Sequence, residues 1–221
     1  MNGLMEFVNG LWDFQYTGQV LPDLFSGLLV TIQATVIGYA IALTLGLLIA
    51  VVRRVPVFGT LVHFLMEFIR TTPLVIQLVF VFALSPANIS VFTIGVVVIG
   101  VHYAAYTAEV YRSGIEGVAK GQWEASRALS LPTSRTWTAI VLPQAIRRVI
   151  PALGNYLIAM FKDTPLLFAI GVVELLAVAQ QVGSKDFRYV ETFTMVGFLF
   201  LLVSIPSAIV IRRLEKRYVA V

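Results

Sequence analysis

Two long stretches of this chain carry no charged side chain. Residues 27–52 and 71–108 contain no Asp, Glu, Lys or Arg. As one helix the second would measure about 57 Å, nearly twice the thickness of a bilayer's hydrocarbon core. It therefore contributes to two spans, and Ser85-Pro86-Ala87-Asn88 supplies the turn between them. The first run is long enough for one span. A third, residues 192–211, precedes Arg212, Arg213, Lys216 and Arg217. With 58% hydrophobic and 13% charged residues, an ordinary soluble domain is excluded.

The pattern predicts an all-α integral membrane protein forming a single domain over residues 1–221. Its spans fall at about 27–52, 58–84, 91–114, 149–169 and 192–211. Residues 1–22 carry Phe7, Trp12, Phe14 and Tyr16 and read as an external interfacial segment. The start has Glu6 and Asp13 but no Lys or Arg, unlike a cleaved signal peptide. Residues 170–182 are expected to enter or lie on the membrane without crossing it. Five spans with the N-terminus outside and the C-terminus inside put twelve Lys/Arg inside and two, Lys185 and Arg188, outside. A sixth crossing would expel the four C-terminal positive charges, against the positive-inside rule. Within the first span Ala34, Gly38, Ala42, Gly46 and Ala50 recur every four residues, a packing seam for another helix.

The longest stretch without a membrane-compatible run is residues 116–145, EGVAKGQWEASRALSLPTSRTWTAIVLPQA. It reads as two short amphipathic helices. The first, about 117–129, places Val118, Ala125, Ala128 and Leu129 near one face and Lys120, Glu124 and Arg127 elsewhere. The second begins after Pro132 and carries Trp137, Ile140, Val141 and Leu142.

Glu124-Ala125-Ser126, Ser130 and Ile140-Val141-Leu142-Pro143 resemble the EAA motif of ATP-binding-cassette (ABC) importer permeases: Glu-Ala-Ala, three residues, Gly, nine residues, Ile, one residue, Leu-Pro. The spacing matches throughout. Ser126 replaces the second Ala, and Ser130 replaces a Gly that leaves a helix cheaply in the left-handed conformation. IRTTPLVIQL (69–78) and PALGNYLIAMFKDTPLL (151–167) are similar to the polar-amino-acid branch of the family. GVHYAAYTAEVYRSGIE (100–116), GQWEASRAL (121–129) and DFRYVETFT (186–194) resemble permeases assigned to ectoine and hydroxyectoine.

The resemblance implies the type I importer permease fold, with residues 115–147 as a cytoplasmic coupling loop between spans three and four. Gly121, Glu124, Ala125, Ser126, Ser130, Ile140, Leu142 and Pro143 would dock on an ATPase. It further implies an ATPase dimer holding ATP-Mg, a second permease identical or homologous to this one, and an extracytoplasmic solute-binding protein. Together these would act as an importer in the bacterial inner membrane. The chain has no GxxxxGK[ST] phosphate loop, so ATP hydrolysis falls to that partner. Neither a cofactor on this chain, a metal site nor a nucleic-acid partner is expected.

Charged and polar groups within apolar segments must face protein or water. Candidate pathway residues are Glu67, Arg70, Thr72, Gln77, Tyr103, Tyr106, Lys162, Asp163 and Glu174. Glu67 and Arg70 lie three apart and can pair; Pro73 frees carbonyls nearby. Tyr103 and Tyr106 are placed either to stack on a cationic group or to pack in the core. His63 and His102 show no metal-ligand spacing. Alternatives are a permease for another polar amino acid and an ATP-independent channel or carrier; an intramembrane enzyme lacks a nucleophile–base constellation.

Overall fold

A computed structural model describes residues 12–53 and 56–219, and every regular element in them is helical. Glu6, Phe7 and Arg54, on which parts of the interfacial-segment and charge-count expectations rest, lie outside the described residues. The helices are α1 (Phe14–Val52), α2 (Pro56–Thr71), α3 (Leu74–Leu84), α4 (Val91–Glu116), α5 (Lys120–Ala128), α6 (Leu142–Asp163), α7 (Leu175–Asp186) and α8 (Tyr189–Val219). Three of them, α1, α4 and α8, are each long and apolar enough to cross a membrane. The bent pairs α2–α3 and α6–α7 raise the number to five if each is one span.

α1 begins well before the expected span and runs 39 residues without interruption. Asp13 caps it, accepting the Tyr16 N–H at 2.9 Å, and that bond holds the Asp13 carboxyl below its usual range. Pro22 lies inside the helix. The carbonyl it deprives of a donor is that of Gly18, where the surroundings are open and solvent can reach it. The cap also ties α1 to the start of α8, because Arg188 lies 2.9 Å from Asp13 and over the Tyr16 ring.

The small-residue ladder forms the main seam of the molecule. Ala34, Gly38, Ala42, Gly46 and Ala50 are all buried, and α1 packs along α4. A Cβ on Gly38 would meet Ile99 at 3.0 Å, and one on Gly100 would meet Ile41 at 2.8 Å. The backbones come close enough for the Thr107 hydroxyl to donate to the Ala42 carbonyl at 2.7 Å. α3, the Thr164–Ile170 turns and Met160 close over this seam in one apolar core. A second core joins the N-terminal half of α1 to α7 and α8 through Leu24, Leu175, Ala179 and Leu199.

Three expectations need correction. Residues 58–84 are not one straight span: α2 and α3 meet at 106° across Thr72-Pro73. The second elbow helix is not separate. A turn at Thr133–Arg135 and a π-helical stretch, Thr136–Val141, run directly into α6. Pro143 explains the widened turns, since its ring would crowd the carbonyl four residues back in a regular helix. Finally, the expected fourth span, 149–169, is the C-terminal part of α6 plus a 3-10 stretch, Thr164–Ile170. After Gly171 at φ 87° the chain bends by 56° into α7, which packs against α1 and α8.

Candidate functional site

The break between α2 and α3 sets up the polar centre of the molecule. Pro73 cannot donate to Ile69, so that carbonyl is orphaned. The Gln77 side-chain amide takes over, donating to the Ile69 carbonyl at 2.7 Å and the Thr72 carbonyl at 3.0 Å. Its oxygen then accepts from His102 Nδ1 at 3.0 Å, which requires the proton on that nitrogen. Gln77 is thus fully engaged in stapling the break, and it fixes His102 in the process.

His102 belongs to a cluster of four rings with Tyr103, Tyr106 and Tyr156. Centroids lie 5.6 Å apart for His102–Tyr103, 5.2 Å for His102–Tyr106, 6.0 Å for Tyr103–Tyr106 and 5.6 Å for Tyr106–Tyr156. Arg70 sits 5.4 Å over the Tyr106 ring and pairs with Glu67 at 2.7 Å. Its Nε is buried with no acceptor. On the other side the Tyr103 hydroxyl donates to Asp163 at 2.6 Å. One cluster therefore holds a carboxylate, a guanidinium with a spare donor, and an aromatic wall.

The sequence-predicted residues divide clearly. Glu67, Arg70, Gln77, Tyr103, Tyr106 and Asp163 come together; Thr72 sits at the break, its hydroxyl donating to the Phe68 carbonyl. Lys162 is exposed and makes no hydrogen bond or ion pair among the described residues. Glu174 is elsewhere: fully buried, it caps α7 by accepting the Leu176 and Ala177 N–H groups at 3.0 and 2.9 Å. Tyr156 is the residue sequence reasoning missed. It lies seven positions before Asp163 on α6, the spacing of one helix face, and that signal was available.

At the other end of α6 lies the elbow. Its own core is Val118, Val141 and Ala145, sealed by Trp123 and Trp137 in an edge contact at 5.2 Å. That pair sets the phase of α5. Trp123 and Ser126, three apart, face inward; Ser126 is buried and its hydroxyl donates to the Gln122 carbonyl at 2.7 Å. The expected apolar face is consequently turned out: Val118 is buried, but Ala125, Ala128 and Leu129 are exposed, Leu129 by 71%. Two indoles bury far more apolar area than the alanines, so they decide which side faces in. Glu124 and Gly121 are exposed too.

Ser130 takes the left-handed conformation, φ 50°, in place of the family's glycine. The Leu131 N–H then reaches the Ser126 carbonyl at 3.1 Å, closing the helix end. Ile140 and Leu142 are partly buried beside fully buried Val141, and Pro143 is exposed near the start of α6.

Residues 42–220 match the family described as the inner membrane component of binding-protein-dependent transport systems. The chain belongs to this family. It is 40% identical over 208 residues to a probable amino-acid ABC transporter permease of Sinorhizobium fredii, covering 92% of this chain and 90% of that one. It is 34% identical over 216 residues to the glutamine transport system permease GlnP of Escherichia coli K12, covering 93% and 97%. Among solved structures, an amino acid ABC transporter crystallised with histidines aligns over 93% of this chain and 99% of its own. Its TM-score is 0.87 at 30% identity. A chain of the MetNI methionine ABC transporter shares the fold at a TM-score of 0.66 and 18% identity. The chain is accordingly a multi-pass ABC importer permease of the polar-amino-acid type, a transport component whose family works with an ATPase. Likeness to ectoine permeases finds no counterpart among these relatives.

Proposed function

We propose that this chain forms half of the pathway of an ATP-driven importer for a small zwitterionic solute of amino-acid type. Five spans cross the bacterial inner membrane, with the N-terminus outside and the elbow and C-terminus in the cytoplasm. A second permease completes the pathway, a solute-binding protein delivers cargo, and an ATPase dimer holding ATP-Mg docks on the elbow. One observation carries this reading: α6 starts at the elbow and ends at Asp163 in the polar cluster. Its 22 residues make a lever of about 33 Å. A shift of the elbow would thereby reach the Asp163–Tyr103 contact as one rigid movement, biasing inward- against outward-facing arrangements.

The cluster suits a zwitterion. Asp163 and the tyrosine faces answer an ammonium, while Arg70, with Lys162 nearby in sequence, answers a carboxylate. Ectoine is the finer proposal, resting on the stretches at 100–116, 121–129 and 186–194. The relatives named for glutamine favour a standard amino acid instead. Purified complete transporter in liposomes, offered labelled glutamine, histidine and ectoine, separates the two. Asp163→Asn is expected to lower uptake by about tenfold or more, the scale of a lost charged contact. Unchanged uptake would remove Asp163 from the pathway. Single cysteines at Ser184 and Ser130 should react with an impermeant thiol reagent from opposite sides; reaction from one side ends the five-span reading.

A further inference from the structure

We infer that each chain holds one anionic phospholipid in a furrow between α6 and α8, with the headgroup at an arginine cluster beside the elbow. The proposal requires that α6 and α8 span the bilayer, but not that any particular solute is carried. The first observation is a cavity of about 730 Å³ whose lining includes Arg147, Arg148, Ile150, Arg217 and Tyr218. No acidic residue lines it. Arg148 donates to the Gly117 carbonyl, whereas Arg147 and Arg217 make no hydrogen bond or ion pair among the described residues. Three guanidinium groups share one hollow without a counter-charge in its lining, and the planar fork of arginine matches a phosphate.

The second observation is independent of charge. Ile150 also lines an apolar cavity of about 510 Å³ bounded by Tyr39, Leu43, Leu153, Val210 and Leu214. Leu157 and Ser207 are in turn shared with a third, of about 170 Å³, against Ile32, Val36 and Phe161. These hollows form one furrow along α6 and α8, basic at one end and apolar along its length. Gly154 lets α8 approach α6 closely, since a Cβ at that position would meet Ile211 at 2.8 Å, and that contact closes the furrow floor. Val36 and Val210, on its edges, are 60% and 54% exposed, so the furrow opens sideways to the bilayer. Only an amphiphile satisfies both ends at once. A choline headgroup would bring a further positive charge to an arginine cluster with no acid, so the occupant carries net negative charge.

Native mass spectrometry of the assembled transporter in detergent, with equimolar phosphatidylglycerol and phosphatidylcholine added, tests the site. The wild type is expected to retain one phosphatidylglycerol per permease chain in preference to phosphatidylcholine. Arg147→Gln with Arg217→Gln should weaken retention about 30-fold, because each basic residue at a membrane surface contributes roughly fivefold. Val210→Trp narrows the furrow with all arginines intact and should also weaken retention. It decides the matter if the double variant fails to assemble. Inorganic phosphate in excess should not displace the lipid. Equal retention of both lipids, or full retention in Val210→Trp, would overturn the proposal. So would displacement by phosphate, or an assembled transporter with no bound lipid because a partner subunit covers the furrow.

Discussion

The α1–α4 seam and the elbow helix α5 both present small residues, and the chain treats them in opposite ways. In the seam, Gly38 meets Ile99 and Gly46 meets the Thr107 side chain, so each missing methyl is matched by an atom of this same chain, and the Thr107 hydroxyl donates to the Ala42 carbonyl. On α5, a Cβ added at Gly121 would meet no side chain or distant backbone within 4 Å, and Ala125 and Ala128 face outward. Smallness is therefore not itself a function. In the seam it is explained by internal packing. On the elbow nothing among the described residues explains it, and the ATPase docking proposed above would. The two regions should then respond to mutation in different places: the seam through folding, the elbow through assembly.

The largest effect is expected in the seam. Gly46→Leu drives a side chain into Thr107 between two backbones that cannot part without breaking the Thr107–Ala42 hydrogen bond. Overpacking of this kind costs about 3 kcal/mol or more, a large part of a protein's total stability. Thermal unfolding of the purified chain in detergent should show a clear loss, with low membrane abundance. A Gly46→Leu chain as stable as wild type would mean that α1 and α4 do not meet as closely as the seam requires.

Next comes Ala125→Trp. The exposed site should accept the indole with a stability change within about 0.5 kcal/mol. Docking on the ATPase should weaken by about 1–3 kcal/mol, the usual scale of overpacking. Co-purification of the ATPase and substrate-stimulated hydrolysis in liposomes measure it, with membrane abundance as the control. If the variant retains its ATPase fully, the exposed face is not the docking face, and the comparison between seam and elbow loses its meaning.

The contrast also explains what could be read from the residues alone. Spans were legible because exclusion of charge from hydrocarbon is a strong, local rule, and the ladder at 34–50 was legible because its period is that of a helix face. The bend at Thr72-Pro73 was only half legible. Proline announces a weakness, but 106° depends on Gln77 and His102, five and thirty residues further on, taking over the orphaned carbonyl. The facing of α5 was misread for a similar reason: the Trp123–Trp137 contact is formed across a turn, between two residues that belong to different elements. Glu174 looked like a membrane-buried charge with a transport role. Its actual use as a cap follows from its place, in extended conformation, directly before the first turn of α7, whose N–H groups meet the carboxylate.

The smallest expected effect has the opposite sign and sharpens the comparison from the elbow side. Ser130 sits at φ 50° at the end of α5, a conformation that costs an L-residue roughly 1–2 kcal/mol. No hydrogen bond of its hydroxyl offsets that cost among the described residues. Ser130→Gly removes the strain and gives back part of the gain through the greater freedom of glycine in the unfolded chain, leaving a net of about 0.5–1 kcal/mol. Enlarging a glycine breaks the seam, whereas introducing one steadies the elbow. The readout is local: hydrogen exchange at the Leu131 amide, which closes the helix end on the Ser126 carbonyl, should slow by about two- to fivefold. Binding of the ATPase should be kept, because residue 130 changes no group on the Glu124–Ala125 face. Faster exchange in the glycine variant would show that serine stabilises the turn, and that the elbow end is tuned by its side chain rather than strained by it.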